Sequence, residues 1–493
     1  MKKTAEKTQK NTAKRPLLRF IALLLTVLMI VPLTAAAVIL TPNVYGDTFL
    51  GALAPKLERL KSTEGKRIIV VGGSSVAFGL NSPMLKEYTG YEVINFGLYA
   101  TLGTRIMLDL SRDYIRSGDI VILAPELDKQ TLSMYYNAEA VWQAAGSDLS
   151  ILKDIHFDNY SETLAHLPKY LSVSLSRTFN KTGKISPEGI YRSDSFNEYG
   201  DISYPREYNV MAAGYDLNQT VSLTPDIYDH EFIDYVNEYI TDVKKAGGTV
   251  YYTFCPINES ALAEDTDEET VAEFYRFVLE NIHCPVISDP NSLILDDVYF
   301  YDTNFHLNDV GAKVRTARLI EDIYRAEGRS EQLYIQLPPP PVRPDPEEPS
   351  SWEENEWSEL FFYEDFGSGL RITGVVDEAL SFEALEIPYM AYEKPVYAIA
   401  PNAFSKCGSL KEITFYENLS VIESGAFNGA DVLQKIHVKR EEAENLEVGA
   451  ELFEGAPKDV KLCFYTEESY QNFVSGYWWA VHADRMEYVE KSE

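Results

Sequence analysis

Basic residues are scarce in this chain of 493 residues: 44 lysines and arginines stand against 76 aspartates and glutamates, a formal net charge of −32. The deficit is uneven. Lys2, Lys3, Lys7, Lys10, Lys14, Arg15 and Arg19 crowd the first 19 residues with only Glu6 against them, so that segment is net +6 and the remainder −38. A body so acidic repels polyphosphate, which argues against nucleic acid as a partner. Cysteine is equally sparse. Cys255, Cys284, Cys407 and Cys463 are too few and too scattered for a disulfide framework or a zinc site, and neither CxxC nor HExxH occurs. All four read as small buried apolar residues, and no metal or organic cofactor is implied. No glycine turn is followed by GK[ST], and no dinucleotide GxGxxG is present. Hydrophobic residues at 45% and aromatics at 12% exclude a largely disordered chain, and the length implies two or three domains.

One apolar run is long. Residues 20–40 are broken only by Thr26, Pro32 and Thr34. As a helix they span about 31 Å at about 1.5 Å per residue, enough to cross a bilayer core. The basic cluster before the run places 1–19 in the cytoplasm as a tail, 20–40 in the membrane as a single-pass anchor, and the bulk of the chain outside the cell. Ala35-Ala36-Ala37 offers the rival reading, a cleaved signal peptide. Residues 41–66 read as a stalk, with a short helix near 57–61.

Beyond the stalk, 67–71 (RIIVV) is a β-branched run ending in Gly72-Gly73, the pattern of a buried parallel strand. Runs at 92–96 and 119–124 repeat it, with helical spacing at 83–88 and 107–116 between them. This alternation predicts a doubly wound, mostly parallel α/β sheet across 67–335. Residues 130–225, rich in Tyr, Asn and Ser, read as an insertion of helices and loops. The rhythm resumes with a helix at 230–245, a strand at 249–254, a helix at 268–281, a short strand at 285–288 and a last helix at 309–325.

Seven prolines between 336 and 349 (QLPPPPVRPDPEEP) exclude a helix or central strand, so 336–358 reads as an extended acidic linker. In the domain that follows, 359–493, Ala403-Phe404 recurs as Ala426-Phe427, Leu410 as Leu433 and Ile413 as Ile436, each 23 residues on. Phe453 and Leu462 continue the series after 26. A period of this size means stacked repeats. The stretch IAPNAFSKCGSLKEITFYENLSVIESGAFNGADVLQKIHV resembles the bacterial surface-antigen type of leucine-rich repeat, which implies a solenoid with a protein or glycan ligand.

Two clusters carry chemistry. The first strand runs into Gly72-Gly73-Ser74-Ser75, where a tight turn can present a hydroxyl at the carboxyl edge of the sheet, the place where open α/β sheets bind ligands. Asp302-Thr303-Asn304-Phe305-His306 lies just before the last helix. A serine hydroxyl needs a neutral imidazole to take its proton, and the imidazole needs a carboxylate to fix its tautomer. Only seven histidines exist, and His306 with Asp302 stands where chain order returns to the same sheet edge. Asp226 and His230 share the spacing but open a helix that precedes a strand, and read as a decoy.

These residues resemble the SGNH (GDSL-type) serine hydrolase superfamily, whose fold is flavodoxin-like. Gly73-Ser74-Ser75, with Gly79 four residues after Ser75, matches the first block and implies Ser75 as nucleophile and Ser74 as runner-up. Asn95-Phe96-Gly97 matches the second block. The resemblance therefore implies an oxyanion hole made of the Ser75 and Gly97 backbone N–H groups, with Ser74, Asn95 and Glu126 lining the site. Asp302 and His306 match the last block with one extra residue between them. The third block departs: Ala124-Pro125-Glu126 stands where an asparagine donor is expected. The same departure occurs in the extracellular branch typified by the D-alanine transfer protein of teichoic acid synthesis. That likeness implies an esterase or O-acyltransferase acting on acyl esters of a cell-envelope glycan or polymer. The altered third block keeps open a non-catalytic adhesion or scaffold protein that works through its repeats. The charge asymmetry makes its own test. Protease added to intact cells should cut within 336–358, and complete protection despite proven protease access would refute the outward topology.

Overall fold

A computed structural model describes residues 41–489 apart from 182, 188, 345–351, 442, 444, 445, 450 and 476–478, together with residue 36. The expected anchor at 20–40, residue 36 aside, lies outside the described residues. Among those described, no helix is long and apolar enough to cross a membrane.

The first half is a parallel sheet covered on both faces. Its strands are β1 (Arg67–Gly72), β2 (Glu92–Gly97), β3 (Ile120–Ala124) and β4 (Thr249–Tyr252), in spatial order β2-β1-β3-β4. Every residue of β1 and β3 is buried, as continuous β-branched runs require. Ile69, Val71, Ile94 and Val121 face one core, shared with Leu53, Leu57 and Leu60 and with Phe232, Tyr239 and Val243. Ile68, Val70, Val93 and Ile122 face the other, shared with Leu319, Ile320 and Ile323 of the last helix, Asp309–Ala326. Alternation along each strand thus feeds two layers of helices. The expected strand at 285–288 is reduced to one parallel bridge, Val286 to Tyr252.

Two expectations change here. The segment taken as a stalk is part of the core: helix Leu53–Ser62 buries Leu53, Leu57 and Leu60, an i, i+4, i+7 stripe, against the sheet. Its end is held by Arg67, which donates to Leu60 O at 2.6 Å while its Nε meets Asp119 Oδ1 at 2.9 Å, tying β1 to the start of β3. This ion pair is fully buried and every charge in it has a partner, the condition under which a buried pair persists. Lys56 on the same helix is also buried, donating to Asn95 O and Gly200 O. The insertion is likewise built inward. It contributes helices Ala138–Ala145 and Tyr160–Asn180, and its later loops reach the carboxyl edge of the sheet through Tyr191, Asp201 and Arg206.

The C-terminal half is a solenoid of short parallel strands in two sheets. One stacks Ala384–Glu386, Glu412–Tyr416, Lys435–Lys439 and Lys461–Phe464; the other stacks Gly369–Val375, Lys394–Ile399, Val421–Ile422 and Glu447–Val448. Register follows the sequence period: Ile413 lies beside Ile436 and then Leu462, and Ala398 beside Val421 and then Glu447. Phe404, Phe427 and Phe453 form a stacked ladder with ring centroids 5.5 and 6.1 Å apart. Strand Phe361–Phe366 pairs antiparallel with Gly369–Val375 and closes one end of its sheet.

The solenoid rests on the α/β half. Phe366, Tyr397, Ala398 and Val421 pack on Ala212, Ala213 and Leu217 of the insertion, and Asn218 Oδ1 accepts the Ser424 N–H at 2.9 Å. Glu447 is buried in this contact, 8% exposed, where the Ala212 N–H donates to it. Burial first, then Asp216 and Asp302, push its carboxyl well above the usual range, with Arg343 opposing. A carboxyl raised in the folded state stabilises fully below its unfolded pKa, and that contribution is lost as pH rises through the folded value. Glu447→Gln should therefore gain stability over the wild type, by a margin that widens as pH rises from 5 to 8. Thermal melts of both proteins across that range measure it, and a constant margin would refute it.

Candidate active site

The turn after β1 is set by close packing. Gly72 ends the strand, Gly73 remains extended (φ −87°, ψ −155°), and a six-residue helix, Ser74–Gly79, starts at once. A Cβ on Gly97, at the end of the neighbouring β2, would lie 2.5 Å from Val76 Cβ and 2.6 Å from Gly73 O. A Cβ on Gly73 would lie 2.7 Å from Glu126 Oε1. Glycine is needed at Gly97, where backbone and a β-carbon occupy the space a side chain would take, whereas at Gly73 the Glu126 carboxyl fills that space.

This packing sends Ser74, not Ser75, to the histidine. Ser74 Oγ lies 2.8 Å from His306 Nε2, and His306 Nδ1 lies 2.8 Å from Asp302 Oδ1. The Ser75 hydroxyl is buried without a hydrogen-bond partner. The serine that meets His306 is thus the residue before the one expected, Ser75. Successive helical residues point about 100° apart, so when the first residue of the helix meets the sheet edge the second is turned away. Gly79, which set the register at Ser75, is not demanded by packing. The nearest atom to a Cβ there is Leu307 Cδ1 at 3.8 Å, an ordinary contact.

His306 is 3% exposed and sandwiched. Phe78, one helical turn after Ser74, stacks on its ring at 3.9 Å with an interplanar angle of 6°. Thr303 Oγ1 accepts the His306 N–H at 3.0 Å, and the Tyr301 N–H donates to His306 O at 2.8 Å. Asp302 takes a second donor, Tyr191 O–H, on Oδ2 at 2.6 Å. Sequence reasoning did not find Tyr191, since nothing in the insertion marks which of its many tyrosines returns to the sheet edge. Phe78 carried a usable signal, its i+4 spacing from Ser74.

The expected oxyanion donors are already engaged. Ser75 N–H donates to Glu126 Oε1 at 2.6 Å, and Gly97 N–H donates to Asn95 Oδ1 at 3.1 Å. Asn95 is a fully buried tie: its Nδ2 donates to Val76 O and to Asp201 Oδ1, both at 2.9 Å. Glu126, 4% exposed, reaches into the centre of the site, where its Oε1 also lies 3.0 Å from Ser74 Oγ. Burial raises its carboxyl pKa, Asp128 adds to the rise, and His306 opposes it. His230, the decoy, opens helix His230–Lys245.

Residues 378–457 match the BspA type leucine rich repeat region, in six copies. Residues 378–457 are therefore a leucine-rich repeat region. No curated protein matches the chain.

The crowding at Gly97 has a measurable consequence. Gly97→Ala places a methyl against backbone and a β-carbon that cannot yield, and should cost about 1–3 kcal/mol of stability. Urea unfolding followed by circular dichroism checks this, and an unchanged midpoint would mean that the turn gives way.

Proposed function

We propose that the α/β half is a serine esterase or O-acyltransferase of the SGNH type, with Ser74 as nucleophile, His306 as general base and Asp302 as its orienting carboxylate. The observation that carries the proposal is the unbroken chain from Ser74 Oγ to His306 Nε2 and from His306 Nδ1 to Asp302, each step 2.8 Å. In this reading Asp302, held by Tyr191, keeps the Nδ1 proton in place so that Nε2 can accept the hydroxyl proton. Ser74 Oγ bonds to the acyl carbon as its proton passes to Nε2. His306 then returns that proton to the departing alcohol as the ester C–O bond breaks. Water or a glycan hydroxyl resolves the acyl-enzyme, which separates hydrolysis from transfer. The basic residues and the apolar run before residue 41 support the further proposal that this chemistry takes place on the outer side of a membrane, on acyl esters of an envelope glycan or polymer. No metal or organic cofactor takes part.

A second reading, a surface scaffold whose repeats bind a protein or glycan, draws on the repeat match and on the carboxyl that occupies the Ser75 N–H.

A fluorophosphonate probe separates the two. Ser74→Ala and His306→Ala should each lower labelling by at least about 10³-fold while the protein stays folded, and the double variant should lose little more. Ser75→Ala should keep a measurable rate. Labelling that survives Ser74→Ala removes the assignment, and an unreactive folded wild type favours the scaffold.

A further inference from the structure

The Ser74 hydroxyl carries one proton and faces two groups that can accept it. His306 Nε2 is at 2.8 Å and Glu126 Oε1 at 3.0 Å. Asp302 accepts from His306 Nδ1 and from Tyr191, so Nδ1 holds a proton and Nε2 of a neutral ring is bare. Two proton arrangements satisfy all three contacts. In one, Glu126 is a carboxylate that takes the Ser74 proton, and His306 is an imidazolium donating Nε2–H to Oγ. No base is then free to activate the serine. In the other, Glu126 is a neutral acid donating its O–H to Oγ, and Ser74 donates to a bare Nε2. Only the second is poised for attack.

We propose that Glu126 works as a protonated carboxylic acid, a catalytic hydrogen-bond donor that supplies what the missing third-block asparagine would supply. The inference rests on the reading of Ser74 as nucleophile. Its surroundings favour the neutral form. The side chain is buried, and Asp128 follows on the same loop. The groups that favour ionisation are the Ser75 N–H, the Ser74 hydroxyl and the His306 ring, with Asp302 behind that ring offsetting its charge. When Oγ bonds to the acyl carbon, the carbonyl π pair moves onto its oxygen and the hydroxyl proton moves to Nε2. The Glu126 O–H, released from Oγ, then turns to the oxyanion beside the Ser75 N–H. Glu126 keeps its proton throughout, and the leaving alcohol receives the one held by His306. A carboxylate in the same place would repel the oxyanion and hold the serine proton, so the site shuts as Glu126 ionises.

The test is the rate of phosphonylation of Ser74 between pH 5 and 9 in the full outer segment, as wild type, Glu126→Gln and Glu126→Ala. Glutamine keeps the shape and always carries N–H donors. The wild-type rate should fall at the alkaline end where Glu126 ionises, and Glu126→Gln should show no such fall. Glu126→Ala, with no donor, should react about 10²–10³-fold more slowly than Glu126→Gln at neutral pH. Reaction of Ser74 in the wild type with Glu126→Gln no faster than Glu126→Ala, or with the same pH profile in wild type and Glu126→Gln, overturns the role of Glu126 alone. A folded protein in which neither wild type nor Glu126→Gln reacts at any pH overturns the serine reading and this role with it.

Discussion

The site depends on how little volume is left where β1 ends. Gly73 and Gly97 sit where a Cβ would strike backbone or the Glu126 carboxyl, so β1, β2 and the segment after β3 converge more closely than side chains would allow. That convergence starts a helix at Ser74 immediately after the strand. It also lets the Glu126 carboxyl reach from beyond β3 to touch both Ser74 and Ser75. The buried Arg67–Asp119 pair braces the opposite end of the same strands, where burial without full pairing would be costly. Register at one end and approach at the other are thus set by the same three strands.

Electrostatic strain then gathers in a small, dry space. Ser74, Glu126 and His306 are all nearly excluded from water, and two carboxyls flank one imidazole. Burial and neighbouring charge separate the two acids. Asp302, the more exposed, accepts hydrogen bonds from Tyr191 and His306, whereas burial raises the pKa of Glu126. The donor role proposed for Glu126 draws on that difference in surroundings.

Much of this was legible in the residues, and the parts that were not have physical causes. Short β-branched runs such as RIIVV, ended by glycines and alternating with helical spacing, fit buried central strands, so the sheet followed from pattern. The 23-residue period followed from the need of each repeat to cover the next. Chain order alone brought Asp302 and His306 toward the serine turn. The serine that meets His306 was misplaced by one, because motif spacing was counted from Gly79, where packing makes no demand for glycine. The segment before β1 was taken as a stalk because its apolar stripe is only three leucines long. Tyr191, Asp201 and Lys56 were invisible, since their partners lie far along the chain and no local period marks them.

The repeats are not an appendage to this site. The insertion loop that carries Ala212, Ala213 and Leu217 into the solenoid contact continues into Asp216, which exchanges backbone and side-chain hydrogen bonds with Asn304. Asn304 lies between Asp302 and His306 in the chain, so the loop that carries His306 is laced to the loop that meets the repeats. Glu447 enters the same contact from the solenoid, where burial first, then Asp216 and Asp302, raise its carboxyl pKa. The packing of the solenoid on Ala212, Ala213 and Leu217 is thus continuous, through Asp216 and Asn304, with the loop that carries His306.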